Sequence, residues 1–202
     1  MQVREYTVGP LLEHTYLIYN EDKKAIIIDP GLNFKKMAYK INMTYDVKAV
    51  LLTHAHADHI DGIGYFNCPI YISKLDKDGL SSKKALYEEL NQKRSFDIKN
   101  LNVKEINSED VFTIIGITIK PIFTPGHTEG SLCYLIDNNL FSGDTLFKYA
   151  YGRTDFYSGN FESMIKSIHR LLDNLADDIY VYPGHDSTTT IGFEKEHNMG
   201  YR

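Results

Sequence analysis

The stretch Thr53-His54-Ala55-His56-Ala57-Asp58-His59-Ile60-Asp61-Gly62 places three histidines and two aspartates within ten residues. It follows an apolar run at 47–52, interrupted only by Lys48, so we predict a buried strand whose carboxyl end opens into a turn. Side chains two positions apart on a strand share a face, so His54 and His56 point the same way. Imidazole nitrogen and carboxylate oxygen suit zinc, iron or manganese, and the stretch therefore predicts a metal site.

The composition indicates a soluble globular protein. The chain has 202 residues, of which 43% are hydrophobic and 24% charged, and we predict one domain spanning 1–202. The net charge of −5 and the lack of a basic cluster make nucleic acid an unexpected partner. No run approaches the ~18 apolar residues of a membrane span, and residues 1–10 do not resemble a signal peptide. With only two cysteines, Cys68 and Cys133, we expect a cytoplasmic protein in which both are small buried apolar residues.

Hydrophobic patterns in the first half of the chain predict a sheet followed by a helix. Residues 2–8, 15–19 and 25–28 are expected to form consecutive antiparallel strands, the last ending in the turn Asp29-Pro30-Gly31. Asn33 is a good N-cap for a helix over 33–43. Composition favours another helix over 81–93, and we interpret 75–100 as a surface insertion near the mouth of the site.

The second half of the chain alternates strands with one long helix. A strand pair is expected at 111–115 and 117–123, a hairpin at 131–136 and 140–142, an amphipathic helix at 161–175, and a last strand at 179–182. This order fits a four-layered αβ/βα sandwich, in which two sheets face each other and carry helices outside.

Three later residues occur in the same sequence context as the first cluster, because each follows an apolar strand and a small turn. His127 follows Pro125-Gly126, His185 follows Pro183-Gly184, and Asp144 follows a Ser-Gly pair. Glycine at such a turn permits a close approach that a side chain would block. We therefore expect these three side chains to be metal ligands as well.

The motifs as a whole resemble the metallo-β-lactamase superfamily and, within it, short-form glyoxalase II-like hydrolases, which cleave hydroxyacylglutathione. The resemblance spans nearly the whole chain, and all five metal motifs occur in order. It implies the αβ/βα fold and two Zn²⁺ ions, with iron or manganese as alternatives. By the same resemblance, one metal is held by His54, His56 and His127, the other by Asp58, His59 and His185, and Asp144 bridges both.

The activity implied is hydrolysis of an acyl thioester by a metal-bound bridging hydroxide. Two dications carry +4, and Asp58, Asp144 and the hydroxide supply −3, which leaves a slightly positive pocket for an anionic or polarised substrate. A metal lowers the pKa of bound water towards ~7, so hydroxide is available at neutral pH. Our hypothesis for Asp58 is catalytic: it orients the nucleophile or shuttles its proton.

Other activities remain open at the level of sequence. The stretch Gly152-Arg153-Thr154-Asp155-Phe156 is also similar to persulfide dioxygenases, which would hold a single iron through His54, His127 and Asp144. A lactonase or another hydrolase of the same fold is a further alternative. A noncatalytic or nuclease-like protein is disfavoured by the acidic charge and the complete ligand set.

Candidate substrate contacts lie after the Asp144 motif. Arg153 aligns with a glutathione-contacting lysine of the long-form enzymes and could bind a carboxylate, or it could pair with Asp155. Tyr151 could line the mouth, or it could serve packing alone. The chain ends at Arg202, so we expect no separate C-terminal glutathione-binding domain. Asp29 is expected either to hydrogen-bond a ligand histidine or simply to form the turn before Pro30.

Overall fold

A computed structural model describes residues 1–202 and contains two compact units. The first unit comprises residues 1–107 and 113–117, and the second comprises residues 108–112 and 118–202. Two six-stranded sheets and a two-stranded ribbon contain all the strands. None of the helices has both the length and the apolar character needed to cross a bilayer. The assignment of 1–202 to one domain stays a prediction.

The sheet of the first unit begins antiparallel and continues parallel. Its strands lie in chain order: β1 Gln2–Val8, β2 Glu13–Tyr19, β3 Lys24–Ile28, β4 Asp46–Leu51, β5 Ile70–Ser73 and β6 Val103–Ile106. The antiparallel pairing of β1, β2 and β3 is confirmed. From β3 to β6 the pairs are parallel, so the carboxyl ends of these strands meet at one edge of the sheet. The sequence patterns did not reveal β6.

Helix α1, Lys35–Thr44, starts two residues later than predicted. The predicted N-cap, Asn33, is wrong: it takes a left-handed conformation with φ +62°, which asparagine tolerates, and Phe34 occupies the cap position. Ala38 and Ile41 bury the inner face of the helix. A short helix after β4, α2 Ala57–Ile60, is continued by a 3-10 helix over Asp61–Tyr65.

The helix predicted over 81–93 is wrong. Within 75–100 the chain forms three short 3-10 helices, Lys77–Leu80, Lys83–Ala85 and Ile98–Asn100. Leu86 and Asn91 both have positive φ, which an α-helix cannot accommodate. The segment interpreted as a surface insertion supplies core side chains instead, because Leu80, Ala85 and Tyr87 are buried in the hydrophobic core of the first unit.

Asp61 anchors this segment to the turn that carries the histidines. Its Oδ1 accepts hydrogen bonds from the Tyr87 hydroxyl at 2.9 Å and from the Ser95 N–H at 3.0 Å. Burial, together with the nearby Asp61 carboxylate, raises the pKa of Tyr87, so the phenol remains a donor. These tertiary hydrogen bonds explain why local helix propensity does not decide the conformation of this segment.

The second unit contains the later hairpins. The remaining strands of the chain are β7 Phe112–Ile114, β8 Ile117–Phe123, β9 Leu132–Ile136, β10 Asn139–Gly143, β11 Leu146–Phe147, β12 Ala150–Tyr151, β13 Tyr180–Pro183 and β14 Thr189–Thr190. The sheet order is β14-β13-β10-β9-β8-β7, and β11 pairs with β12 in a separate ribbon. Strands β10 and β13 are parallel neighbours. The predicted strand pairs are confirmed, whereas β11, β12 and β14 were too short to predict.

Helix α3, Phe161–Asn174, is confirmed as amphipathic, with its apolar stripe buried on the core of the second unit. Helix α4, Ile191–His197, was not predicted. Both cysteines are free thiols: Cys133 is buried, as expected, while Cys68 is half-buried. Burial raises the pKa of the Cys68 thiol to about 11, so little thiolate forms at neutral pH.

We expect Tyr87→Phe to lower the free energy of unfolding by about 1–3 kcal/mol, because a hydrogen bond to the buried Asp61 carboxylate is lost. Urea denaturation measures this difference. Tyr39→Phe is the control, because Tyr39 is 69% exposed and should change stability by less than about 0.5 kcal/mol. Equal stability of the two variants would show that residues 75–100 lie loosely on the first unit.

Candidate metal centre

In the first unit, the predicted ligands lie where β4 ends and α2 begins. His54 lies three residues after the end of β4, His56 occupies the N-cap position of α2, and Asp58 and His59 lie in its first turn. All four side chains are buried, with His59 fully inaccessible to solvent. The strand and the short helix therefore present side chains of both predicted ligand groups at one edge of the sheet.

These side chains are close enough to coordinate metal. The His54 ring centroid lies 4.7 Å from that of His56 and 4.2 Å from that of His59. The Asp58 Oδ2 atom lies 3.8 Å from His59 Nε2. The Nε2 atoms of all three histidines are buried. Neutral imidazoles at this density are costly to bury unless they serve hydrogen bonding or a cation.

Asp29, directly after β3, forms hydrogen bonds that position the histidines of this unit. Its Oδ1 accepts the Thr53 N–H at 2.8 Å, and its Oδ2 accepts the Thr53 hydroxyl at 2.6 Å. The same Oδ2 lies 3.0 Å from His59 Nδ1. The expectation that Asp29 would hydrogen-bond a ligand histidine is confirmed, and its φ of +47° shows that it forms the turn as well.

These hydrogen bonds fix which nitrogen of each ring carries the proton. A carboxylate only accepts, so the contact with Asp29 requires a proton on His59 Nδ1 and leaves a lone pair on Nε2. Thr53 donates its single hydroxyl proton to Asp29, so its oxygen accepts from His54 Nδ1 at 3.0 Å. Nε2 of His54 is then also a lone-pair donor, the form that binds metal.

In the second unit, His127 is positioned by a Pro-Gly turn after β8. A Cβ atom added at Gly126 would lie 2.5 Å from the Met164 Cα atom on α3, so the close approach inferred from the sequence is confirmed there. His127 is buried, and its Nδ1 donates to the Arg153 carbonyl at 2.7 Å. A carbonyl oxygen only accepts, and Nε2 of His127 is again the nitrogen with the lone pair.

Asp144 and His185 follow the parallel neighbours β10 and β13, whose carboxyl ends coincide. Asp144 Oδ2 lies 3.4 Å from His127 Nε2 and 3.7 Å from His185 Nε2. Edge-on aromatic rings flank the two histidines, with Phe156 6.2 Å from His127 and Phe147 6.1 Å from His185. The second unit thus brings its three predicted ligands together, with the carboxylate between the imidazoles.

The Arg153 side chain is exposed and already has partners. Its Nε and a terminal nitrogen donate to the two Asp155 oxygens at 2.9 and 2.7 Å. The guanidinium also lies 4.2 Å from the Phe156 ring centroid. The pairing with Asp155 weighed from the sequence is confirmed, and substrate binding by Arg153 stays a prediction.

Tyr151 is half-buried and packs within the second unit. Its ring centroid lies 6.2 Å from that of Phe161, and a Cβ atom added at Gly200 would lie 2.7 Å from the Tyr151 ring. These contacts account for the tyrosine by packing, and its role in substrate binding stays a prediction.

Two further groups support the candidate ligands but lie outside the motifs that indicated them. The Thr53 hydroxyl supports His54, and the only available signal was a hydroxyl residue directly preceding the histidine pair. The Arg153 carbonyl supports His127, and a main-chain acceptor 26 residues away leaves no trace in side-chain identity.

The donor set fits divalent cations. It consists of five imidazoles and two carboxylates, without a cysteine among them, which matches an open catalytic site better than a closed structural zinc site. Three of the imidazoles are held in the tautomer that leaves Nε2 available. Metal binding follows from these residues, whereas the identity of the metal does not.

Comparison with known proteins places the chain in a family. The model of the metallo-β-lactamase superfamily matches residues 8–185. The chain belongs to this superfamily. It is 33% identical to the hydroxyacylglutathione hydrolase GloC of Haemophilus influenzae, over 98% of this chain and 97% of that protein. The chain is therefore a metal-dependent hydrolase of the metallo-β-lactamase superfamily.

Solved structures confirm the predicted αβ/βα fold class. The crystal structure of the BLEG-1 B3 metallo-β-lactamase is 32% identical, with a TM-score of 0.90 and 99% of each chain covered. TTHA1623 in a di-iron-bound form is 27% identical, with a TM-score of 0.83, covering 97% of this chain and 98% of that one. The second structure shows that a similar protein holds two iron ions.

We expect Thr53→Val to weaken metal binding by about 10-fold or more, because outer hydrogen bonds to a ligand histidine typically contribute 10–100-fold. Chelator competition on purified protein measures the affinity. Thr53→Ser retains the hydroxyl and should bind metal like the wild type. If valine and serine variants bind alike, the hydroxyl does not support His54.

Proposed function

We propose that this protein is a dinuclear metal hydrolase that cleaves an acyl thioester. In this proposal His54, His56 and His127 would hold one metal, Asp58, His59 and His185 would hold the other, and Asp144 would be a ligand of both. The observation that carries it is the position of the Asp144 carboxylate, within 3.7 Å of the Nε2 atoms of both histidines of its own unit. A carboxylate between two imidazoles is the arrangement that a bridging ligand requires.

Thioester cleavage is supported by the relative and by the chemistry of the leaving group. A hydroxyacylglutathione, named in the GloC relative, is a thioester. When bound, a pair of divalent cations supplies hydroxide at neutral pH and polarises the substrate carbonyl. A thiol has a pKa of about 8.5, so the leaving thiolate needs little help from an acid. The residues of the chain therefore have to manage the proton of the nucleophile rather than that of the leaving group.

Asp58 suits this task. Its carboxylate is 8% exposed and has two oxygens, of which Oδ2 lies 3.8 Å from His59 Nε2. One oxygen can ligate while the other accepts the proton of the attacking water and orients it. The burial of Asp58 keeps bulk water from competing for that hydrogen bond.

Arg153 suits recognition of a substrate carboxylate. The Arg153 carbonyl accepts a hydrogen bond from His127, which is a proposed ligand. The Arg153 side chain therefore begins at a residue that contacts the proposed metal centre. The present partner, Asp155, is exposed, and an exposed ion pair contributes only about 0–1 kcal/mol. A substrate carboxylate can therefore replace Asp155 at small cost, with Tyr151 nearby in sequence to line the mouth. We also propose a small-molecule substrate in the cytoplasm, which suits two free thiols.

A mononuclear iron dioxygenase acting on persulfides is the second candidate. Two of its three ligands would be His127 and Asp144, which lie 3.4 Å apart. The two candidate functions differ in metal content and in their need for oxygen. Measuring both properties on one preparation of the protein therefore distinguishes them.

We expect purified protein to contain about two metal ions per chain and to hydrolyse members of a thioester panel that includes S-lactoylglutathione. Chelation should abolish hydrolysis, and added Zn²⁺ should restore it. Elemental analysis and thiol release measure these properties. About one iron per chain, with oxygen uptake on a persulfide and no thioester hydrolysis, would replace this proposal with the dioxygenase.

We expect Asp58→Asn to lower kcat by about 10²–10⁴-fold, because asparagine keeps the shape but cannot accept the proton. KM should change less, and thermal unfolding should show a folded protein. Asp22→Asn, which removes an exposed carboxylate from the same unit, is the control and should be fully active. An active Asp58→Asn variant would remove the catalytic role of this residue.

A further inference from the structure

The ribbon β11–β12 connects two parts of the metal centre in the second unit. It begins just after Asp144 and ends just before Arg153, whose carbonyl accepts from His127 Nδ1. A Cβ atom added at Gly152 would lie 1.9 Å from the Asp144 carbonyl oxygen, so the two ends of the loop press against each other. The conformation of the ribbon therefore sets the Asp144 main chain and the acceptor for His127 together.

The C-terminal segment, residues 191–202, holds this ribbon through hydrogen bonds from Asn198. The Asn198 side-chain nitrogen lies 3.2 Å from the Phe147 carbonyl, the last residue of β11, and 2.9 Å from the Ala150 carbonyl, the first residue of β12. The same nitrogen lies 2.8 Å from Glu194 Oε2. Asn198 is fully buried, and one amide group thus holds both strands of the ribbon at its turn.

Glu194 of α4 forms further hydrogen bonds that hold the ribbon. It is fully buried, and its Oε2 accepts the Tyr149 N–H at 2.9 Å while its Oε1 accepts the Thr189 hydroxyl at 2.6 Å. Tyr149 has a left-handed φ of +67°, unfavourable for a tyrosine, and its carbonyl accepts the Met199 N–H at 3.1 Å. The turn of the ribbon is therefore held in a strained conformation by bonds from the C-terminal segment.

We propose that Glu194 and Asn198 are positioning residues for the metal centre. By holding the turn of β11–β12, they fix Asp144 at one end of the ribbon and, through the Arg153 carbonyl, the ring of His127 at the other. Burying a carboxylate is unfavourable unless donors surround it, and here the donors come from the ribbon, from Thr189 and from Asn198. This inference rests on the proposed function only in taking Asp144 and His127 as ligands.

Four substitutions separate the proposed positioning role of Glu194 and Asn198 from a general effect on folding. Glu194→Ala removes the acceptors for Tyr149 and Asn198. Glu194→Gln retains one oxygen for the ribbon, and its amide can donate to the Thr189 hydroxyl, which then accepts instead of donating. Glu196→Ala removes an exposed carboxylate from the same helix and is the matched control. Asn198→Ala removes the donors to the Phe147 and Ala150 carbonyls and decides the question if Glu194→Ala does not fold.

Two measurements test the two steps of the inference without relying on turnover. Amide hydrogen exchange of the metal-free protein reports whether the segment 144–153 loosens. Competition between chelator and Co²⁺, together with the Co²⁺ absorption spectrum, reports whether the metal ligands are displaced. We expect Glu194→Ala and Asn198→Ala to exchange faster at 144–153, to bind Co²⁺ about 10-fold more weakly or worse, and to show an altered spectrum. Glu194→Gln and Glu196→Ala should resemble the wild type.

Folded alanine variants with wild-type Co²⁺ affinity and spectrum would overturn the positioning role, even if the segment 144–153 exchanges faster. A glutamine variant as impaired as Glu194→Ala would also contradict it, because the ribbon would then depend on charge rather than on the hydrogen bond. Failure of the thioester proposal is separate, since a wild type that binds metal but hydrolyses no thioester leaves these affinity comparisons valid.

Discussion

The Asp29 carboxylate is the constraint on which the first half of the site depends. It receives the Thr53 main chain and hydroxyl on one side and His59 Nδ1 on the other, and it is itself buried. Through Thr53 it also determines the proton position on His54. A single carboxylate at the end of β3 thus prepares one histidine of each proposed metal group, because a ligand imidazole must present a lone pair.

In the second unit, a main-chain group rather than a side chain fixes the tautomer of a candidate ligand histidine. A carbonyl, that of Arg153, fixes the tautomer of His127, and the loop that supplies it is the one that carries Asp144. The Arg153 carbonyl can be placed accurately only if its loop is rigid. The β11–β12 ribbon has only two residues in each strand, so its own hydrogen bonds are few. The buried bonds from Glu194 and Asn198 supply that rigidity, which gives the C-terminal segment a part in the chemistry as well as in the packing.

Sequence patterns predicted the elements whose signals are local, and the candidate ligands were proposed from signals of the same kind. The ligand motifs follow apolar strands, and α3 carries a regular apolar stripe, so both were recognisable. The segment 81–93 was predicted as a helix wrongly, because bonds from Tyr87 and Ser95 to the distant Asp61 outweigh local propensity. Short elements such as α4 and supporting atoms such as the Arg153 carbonyl depend on residues far apart in the chain, and no local pattern encodes them.

The central claim is that seven side chains hold two metal ions. Anomalous diffraction from crystals of the metal-loaded protein, recorded on both sides of the metal absorption edge, tests it most directly. The account predicts two peaks: one bound by His54, His56 and His127, the other by Asp58, His59 and His185, with Asp144 contacting both. Crystals grown with excess metal in which His127, Asp144 and His185 contact no peak would contradict it.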